Sequence, residues 1–196
     1  AMGSIHDSDE KLSHTEGRPT PGVEVRVVTL DGDDAGVGVE GEIRAKGPQL
    51  FRGYLDSSLD GDAFDDQVFF RTGDLGNQDG EGYITITGRL KDIIIRKGEN
   101  ISAKEVEDML FDHPAVVDVA VIGLPDPKSG ERACAVVVVE DGAEAPTLQD
   151  LFDFLTGAGL TSRKAPEQLE FVASLPRNPT GKVLKHELRA TYSDEG

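Results

Sequence analysis

The sequence predicts an α+β fold in two parts, a β-rich subdomain followed by a small α+β domain. Residues 18–88 carry short segments of alternating apolar and polar residues interrupted by glycines, the pattern of short strands joined by turns. After Arg89 the pattern changes, because apolar strand-like runs alternate with segments of helical spacing. We therefore predict a cloning remnant and loose arm over residues 1–17, a β subdomain over 18–88, a connection over 89–91 and a second domain over 92–196.

The elements of the first part follow from this alternation. Residues 23–28 alternate apolar and charged side chains, residues 31–34 form a turn of aspartates and glycine, and residues 41–45 open a second strand. Residues 83–86 are the last predicted strand. The leader at residues 1–4 has neither a basic start nor an apolar stretch, so it does not resemble a signal peptide, and we predict a cytoplasmic protein.

The elements of the second part begin with a short apolar strand at residues 93–95. Ser102 and Glu105 have the spacing of a capping box, so a helix is expected to begin directly after Ser102. The remaining predicted elements are strands over residues 116–123 and 133–140, a helix over 148–155, a strand over 169–172 and a short helix over 185–191.

The chain is strongly acidic. It carries 37 Asp and Glu residues against 20 Lys and Arg residues, a formal net charge of −17. Nucleic acids and anionic lipids are attracted by a positive surface, so this composition disfavours both as partners. No apolar run approaches the length of a membrane-spanning helix, and we predict no span.

Metal and disulfide sites are disfavoured as well. Cys134 is the single cysteine, so it cannot form an internal disulfide, and its apolar neighbours predict a small buried hydrophobic side chain. The four histidines show no pairing typical of metal ligands. We therefore predict no metal site in this chain.

Four short motifs identify the chemistry when they are taken together. They are residues 71–75 (RTGDL), 88–92 (GRLKD), 97–100 (KGEN) and 179–182 (PTGK). In this order they resemble the acid-activating adenylating enzymes, the superfamily of acyl-CoA synthetases, peptide-synthetase adenylation domains and luciferases. The resemblance implies that the chain is the C-terminal portion of such an enzyme, with the end of its large domain followed by a small mobile lid.

Asp74 and Arg89 are the predicted nucleotide-binding residues. A carboxylate in a Thr-Gly-Asp turn can accept hydrogen bonds from two adjacent hydroxyls of a ribose, although a plain turn aspartate is the alternative. A guanidinium can bind sugar hydroxyls or pair with a carboxylate, and a surface ion pair is the alternative for Arg89. The resemblance implies that both residues contact the AMP part of the nucleotide.

Lys182 is the predicted catalytic residue. Adenylation brings a carboxylate and the α-phosphate together, and an ammonium between two anions offsets their repulsion. Residues 180–182 are expected to lie on a mobile loop. The segment is not a phosphate-binding P-loop, because Pro176 stands where that motif needs glycine and Val183 where it needs a hydroxyl residue.

Two further sites are implied by the resemblance alone. Lys91 occupies the position of the hinge about which the lid rotates between two working states, although an exposed linker lysine is the alternative. Lys97, Gly98 and Asn100 occupy the loop that approaches CoA in the second half-reaction, and a plain turn between strand and helix is equally consistent with these residues.

The resemblance extends from residue 17 to residue 188 and implies an acid–CoA ligase that uses ATP, Mg²⁺ and CoA with a carboxylic acid as substrate. Fatty acids and cyclic or aryl acids of the cyclohexanecarboxylate type are the candidate substrates. The family's phosphate-binding loop and acyl pocket lie upstream of these motifs, so a missing N-terminal domain is the implied partner and this chain alone is predicted to be inactive. The alternatives are an adenylating enzyme that loads a carrier protein and a non-catalytic module that binds a nucleotide or a partner.

Overall fold

A computed structural model of the chain describes residues 1–140 and 142–193. The chain forms two compact units, Ala1–Lys91 and a second unit that begins at Asp92. The first unit contains a four-stranded antiparallel sheet, and the second contains a mainly antiparallel sheet of five strands covered by helices. These architectures confirm the predicted α+β fold. No helix among the described residues is long and apolar enough to span a membrane.

The sheet of the first unit is a simple meander in the order β1-β2-β3-β4, with every pair antiparallel. The strands are β1 (Glu24–Val28), β2 (Gly41–Lys46), β3 (Phe70–Gln78) and β4 (Ile84–Arg89), and helices α1 (Asp9–His14) and α2 (Asp60–Ala63) accompany them. The alternation of the strand sequences buries one face, and the buried apolar residues include Val27, Val28, Ile43, Leu75 and Ile84.

Residues 1–17 are held against this sheet, so the prediction of a loose arm was wrong. The backbones of Met2 and Arg18 exchange hydrogen bonds of 2.9 and 3.2 Å, and the N–H of Glu16 donates to the carbonyl of Ile84 at 2.7 Å. Lys11, on α1, forms an ion pair with Asp79. Because α1 buries none of its residues, its sequence lacks the apolar periodicity by which helices are predicted.

The second unit is built around a long central hairpin. Its strands are β5 (Ile93–Arg96), β6 (Glu99–Ser102), β7 (Val116–Asp126), β8 (Gly130–Val139) and β9 (Gln168–Phe171), in the order β6-β5-β8-β7. The short strand β9 pairs with β8 in the parallel direction. Its helices are α3 (Ala103–Phe111), α4 (Leu148–Gly157) and α5 (Lys185–Tyr192). As predicted, Ser102 caps α3, and its hydroxyl accepts from the N–H of Glu105 at 3.3 Å.

Strand β8 separates two apolar clusters, because its alternate side chains point to opposite faces. Ala135 and Val137 belong to a cluster with α3 and α4, whereas Cys134 and Val136 belong to a cluster with Leu188 of α5. Burial raises the pKa of the Cys134 thiol to about 12, which agrees with the predicted role of a small hydrophobic side chain.

Candidate functional site

The Thr-Gly-Asp motif lies inside strand β3 rather than in the free turn expected from the sequence. Gly73 has φ +71°, and the pairing of β2 with β3 shifts register beside it, so the motif forms a bulge. The hydroxyl of Thr72 donates to the carbonyl of Ile43 at 2.6 Å and accepts from the N–H of Asp74 at 3.0 Å. These two bonds fix the bulge and thereby the position of the Asp74 side chain.

Asp74 and Arg89 are brought together by the register of the sheet. They are directly opposite each other on β3 and β4, and Nε of Arg89 lies 2.7 Å from Oδ1 of Asp74. Their side chains are 24% and 41% exposed, respectively, so the pair faces solvent. A carboxylate and a guanidinium each offer more hydrogen-bonding positions than this one contact uses, so the pair has the donors and acceptors that suit a ribose diol.

Lys182 lies on a tight hairpin of the second unit, at the position where the sequence predicts a loop. The N–H of Asn178 donates to the carbonyl of Lys182 at 2.9 Å, and the N–H of Gly181 donates back to Asn178 at 2.9 Å. The side-chain oxygen of Asn178 accepts from the N–H groups of Thr180 and Lys182 at 3.1 and 2.8 Å. Lys182 itself is exposed, so the hairpin presents its ammonium to solvent.

Arg177 fastens this hairpin to the sheet. Its Nη1 donates to the carbonyl of Gly181 at 2.6 Å, and its Nη2 pairs with Oδ2 of Asp118, on β7, at 2.6 Å. Sequence reasoning missed Arg177 as a residue of the site. Asp118 and Arg177 are separated by 59 residues, and no local spacing connects them.

The helix that follows the hairpin is held by charged residues at two points. Lys185 lies 2.7 Å from Oε1 of Glu107 on α3, with both side chains 16% exposed, and Arg189 lies 3.3 Å from Asp92. The N–H of Val121 also donates to Glu107 at 2.7 Å. Burial raises the pKa of the Glu107 carboxyl above its ordinary value, and Lys185 and the Val121 N–H oppose that rise.

The two remaining predicted sites lie on short connections. Lys91 is in a single 3₁₀ turn, Leu90–Asp92, where the first unit ends. Lys97 and Gly98 form the turn of the β5–β6 hairpin with φ +51° and +80°, and Asn100 lies on β6 opposite Ile95. Turns with two positive φ values are typical of tight hairpins, so this geometry fits the plain turn as well as a CoA-binding loop.

Metal ligation has no candidate on the described part of the chain. No group of three or more His, Cys, Asp or Glu residues that could hold a metal ion occurs over residues 1–140 and 142–193.

Two protein-family models match the chain. The model described as AMP-binding enzyme matches residues 1–55, and the model described as AMP-binding enzyme C-terminal domain matches residues 105–182. The first match includes residues 1–17.

Individual relatives resemble nearly the whole chain. The salicyl-AMP ligase / salicyl-S-ArCP synthetase of Mycobacterium tuberculosis is 41% identical over 92% of this chain and 32% of its own length. The medium-chain fatty-acid–CoA ligase of Escherichia coli is 39% identical over 96% of this chain and 34% of its own length. The chain thus spans about a third of the length of the curated relatives it matches.

Among solved structures, ATP-bound MatB from Rhodopseudomonas palustris superposes with a TM-score of 0.86 at 40% identity, covering 93% of this chain and 36% of that chain. The amide bond synthetase McbA from Marinactinospora thermotolerans superposes with a TM-score of 0.83 at 37% identity, covering 93% of this chain and 37% of that chain. Both the sequence and the backbone therefore match proteins of which this chain spans about a third.

Proposed function

This chain belongs to the AMP-binding enzyme superfamily of adenylating ligases, and from that premise we propose that it is the C-terminal portion of an ATP-dependent acid–CoA ligase. In the whole enzyme a carboxylic acid and ATP would give acyl-AMP and pyrophosphate, and CoA would then give the acyl thioester and AMP. The observation that carries the proposal is the contact between Asp74 and Arg89. The register of β3 and β4 brings together the two motifs that contain these residues, which are separate in the sequence.

Asp74 and Arg89 would hold the ribose of the nucleotide. The Asp74 carboxylate accepts from the two adjacent ribose hydroxyls, and the Arg89 guanidinium holds that carboxylate in its orientation while donating to a sugar oxygen. The bulge fixed by Thr72 sets the carboxylate in place before the nucleotide binds. Binding therefore requires little further ordering of the site.

Lys182 would act in the first half-reaction. A carboxylate oxygen of the acid attacks the α-phosphorus of ATP, the bond from that phosphorus to the bridging oxygen breaks, and pyrophosphate leaves with the electron pair. The Lys182 ammonium stabilises the negative charge on the phosphoryl oxygens during this exchange. Mg²⁺ would neutralise phosphate charge, and its ligands would come from the substrate and from outside the described residues.

Lys91 and the 97–100 segment would serve the second half-reaction. The boundary between the two units falls directly after Lys91, which supports placing the rotation of the lid there. Lys97, Gly98 and Asn100 would then approach the CoA arm, where the positive φ values of the turn allow close backbone approach. A reaction that consumes ATP and CoA fits a cytoplasmic enzyme, which is the location we propose.

Loading of a carrier protein is the second candidate for this half-reaction. It is favoured by the similarity to the salicyl-S-ArCP synthetase, whose name includes transfer to such a protein. The acid–CoA assignment is favoured by the similarity to the medium-chain fatty-acid–CoA ligase, which also keeps fatty acids among the candidate substrates. CoA and the carrier protein both present a thiol on a pantetheine arm. An assay that offers the acyl-AMP to each acceptor therefore distinguishes the two candidate functions.

The decisive experiment uses the full-length protein with ATP, Mg²⁺ and a panel of acids. Acid-dependent ATP–pyrophosphate exchange measures the first half-reaction, and mass spectrometry follows acyl-AMP and acyl-CoA. We expect Lys182→Ala to lower the exchange roughly 100- to 1,000-fold, because it removes a charge that acts on the developing negative charge. Thioester formation from supplied acyl-AMP should change less than about threefold, because that step does not use Lys182.

Lys104→Ala is the matched control, since Lys104 is another exposed lysine of the same unit and pairs only with Asp108 one helical turn away. Normal exchange by Lys182→Ala would contradict the catalytic assignment. Acyl-AMP that reacts with a carrier protein and not with CoA would move the function to carrier loading. Nucleotide binding without exchange for any acid would indicate a non-catalytic module, and exchange by this chain alone would contradict the proposal that the activity needs an N-terminal domain.

A further inference from the structure

One side chain closes the hairpin that carries Lys182. Arg177 donates through Nη1 to the carbonyl of Gly181, the residue directly before Lys182, and its Nη2 pairs with Asp118 on β7. Both distances are 2.6 Å. The guanidinium therefore links the tip of the hairpin to the central sheet of the unit through two fixed points.

The base of the hairpin is joined to the sheet by packing, because Val183 lies against the apolar cluster that contains Leu188. The tip of the hairpin has a different connection. Asn178 accepts from the N–H groups of Thr180 and Lys182, which closes the turn on itself but does not join it to the sheet. Gly181 has φ +85°, a conformation that glycine leaves and enters easily. Arg177 connects the tip of this turn to β7 through side-chain hydrogen bonds, and it does so at the carbonyl of Gly181, directly before Lys182.

The chemistry of the link requires an arginine. A guanidinium is planar and holds several donors in one rigid fork, so it can bind a carbonyl and a carboxylate at the same time in fixed directions. A lysine ammonium is a point charge on a flexible chain, and it would satisfy Asp118 without fixing the Gly181 carbonyl.

The link contributes more to geometry than to stability. Arg177 is 42% exposed and Asp118 is 22% exposed, and ion pairs as exposed as this one add little to the free energy of folding. Removing the link should therefore leave the unit folded. A displacement of about 1 Å at a reacting group, by contrast, can lower a rate about 100-fold.

We propose that Arg177, held by Asp118, is a positioning residue that sets the direction of Lys182 for adenylation. The inference rests on the proposed function, because it assigns Arg177 a role through the lysine of the first half-reaction. Arg177 touches neither substrate nor reacting atom in this role. Its effect passes through the Gly181 carbonyl to the adjoining backbone of Lys182.

The test compares Arg177→Gln, Arg177→Lys and Lys182→Ala in the full-length protein. We expect Arg177→Gln to lower kcat of the acid-dependent exchange roughly 10- to 100-fold, with KM for ATP changed less than about threefold and with normal thioester formation from supplied acyl-AMP. Arg177→Lys should retain an intermediate rate, because it keeps the attraction to Asp118 and loses the fork. The double variant Arg177→Gln/Lys182→Ala should be no slower than Lys182→Ala, because the two residues act as one unit.

The control is Arg96→Gln. Arg96 makes the same kind of double contact in the same unit, to the carbonyl of Arg163 and the carboxylate of Glu167, but far along the chain from the hairpin. The Arg96→Gln variant should have an exchange rate within about threefold of the rate of the unsubstituted protein. Additive losses in the double variant, a normal rate for Arg177→Gln, or equal losses in both half-reactions would each overturn the proposal. Normal exchange by Lys182→Ala alone would instead overturn the proposed catalytic function of that lysine. The proposed effect of Arg177 on catalysis would then fail as well.

Limited trypsin digestion of this chain measures separately whether Arg177 holds the hairpin in place. Cleavage after Lys182 requires the hairpin to open locally, so its rate reports how firmly the tip is held. We expect Arg177→Gln to raise that rate about fivefold while cleavage after Lys104 stays constant in the same digest. An unchanged rate after Lys182 would show that Arg177 does not hold the hairpin.

Discussion

Gly73 shows how one backbone conformation controls the predicted nucleotide-binding residues. Its φ of +71° produces the bulge in β3, and Asp74 follows it directly. A Cβ atom added at Gly73 would have no heavy atom within 4 Å, so the conformation alone, and not the available space, favours glycine. The geometry of the Asp74–Arg89 pair thus depends on a residue that has no side chain of its own.

We expect Gly73→Ala to lower the free energy of unfolding by about 1–2 kcal/mol, the cost of a positive φ for a residue with a Cβ atom. Urea unfolding of the chain, followed by circular dichroism, measures the change as a lower midpoint. Gly80→Ala is the control, because Gly80 has no positive φ and its nearest neighbour to an added Cβ is 3.9 Å away. Equal effects of the two substitutions would show that the bulge does not require glycine.

The sequence predicts candidate site residues, but it does not predict their contacts. Asp74, Arg89 and Lys182 each lie in a short motif. The pairing of Asp74 with Arg89 depends on the register of β3 and β4. The pairing of Arg177 with Asp118 depends on β7, which is far away in the sequence. Such contacts follow from tertiary structure, so residue type and spacing do not predict them.

Helix α5 depends on charged contacts more than on burial. Leu188 is its only buried residue within Lys185–Tyr192, while Lys185 and Arg189 bind Glu107 and Asp92. The first of these pairs is the less exposed, and it connects α5 with α3 close along the chain to the Lys182 hairpin. A largely buried carboxylate that loses its charged partner still has the cost of desolvation, but it no longer has the attraction that compensated for this cost.

We expect Lys185→Met to lower the free energy of unfolding by about 2–3 kcal/mol at pH 7. Without the ammonium the pKa of Glu107 rises further above its ordinary value of 4.5, so between that value and the raised one the folded chain binds more protons than the unfolded chain. Stability of the variant relative to the unsubstituted chain therefore falls as pH rises through this window. Urea unfolding at pH 4 and pH 7 measures both effects.

Lys104→Met, in the exposed pair with Asp108, should cause no measurable change at either pH. The double variant Glu107→Gln/Lys185→Met should recover most of the loss, because an uncharged glutamine amide in place of the carboxylate can still accept from the N–H of Val121. A loss that is the same at pH 4 and pH 7 would show that packing, and not the unpaired carboxylate, is responsible.

Elements with an apolar face are predictable, and elements held by polar contacts are not. Helix α3 and strand β8 carry clear periodic apolar residues and lie near their predicted positions. Helix α1 buries nothing and is held by Lys11 and by backbone bonds, so its sequence resembles that of a loose segment. Periodicity reports burial, and an element that buries no side chain gives no such signal.

At the scale of the whole molecule, the second unit has its own buried core. Both apolar clusters consist of residues from Ile94 onward, and each covers one face of the five-stranded sheet. The first unit buries its own set around Val28 and Leu75. Each unit thus meets the requirement of a domain that can fold independently.

We expect residues 92–196, expressed alone, to fold and to unfold in a single cooperative transition. Far-UV circular dichroism and calorimetry would compare this polypeptide with the whole chain, whose thermal unfolding should contain the same transition within a few degrees. Residues 1–91 serve as the complementary control. An unfolded or aggregated 92–196 polypeptide would show that its stability depends on the preceding residues.

The position of β8 between the two clusters has a consequence for the order in which the unit is made. A ribosome releases α3, β7 and β8 early, and β7 and β8 are joined by a short connection, so they can pair while the rest of the chain is still being synthesised. The apolar cluster on the second face of β8 is incomplete until Leu188 is available, and Leu188 emerges only after Lys182 has left the ribosome. During synthesis, the segment that carries the lysine is therefore among the last parts of the unit to gain its final position.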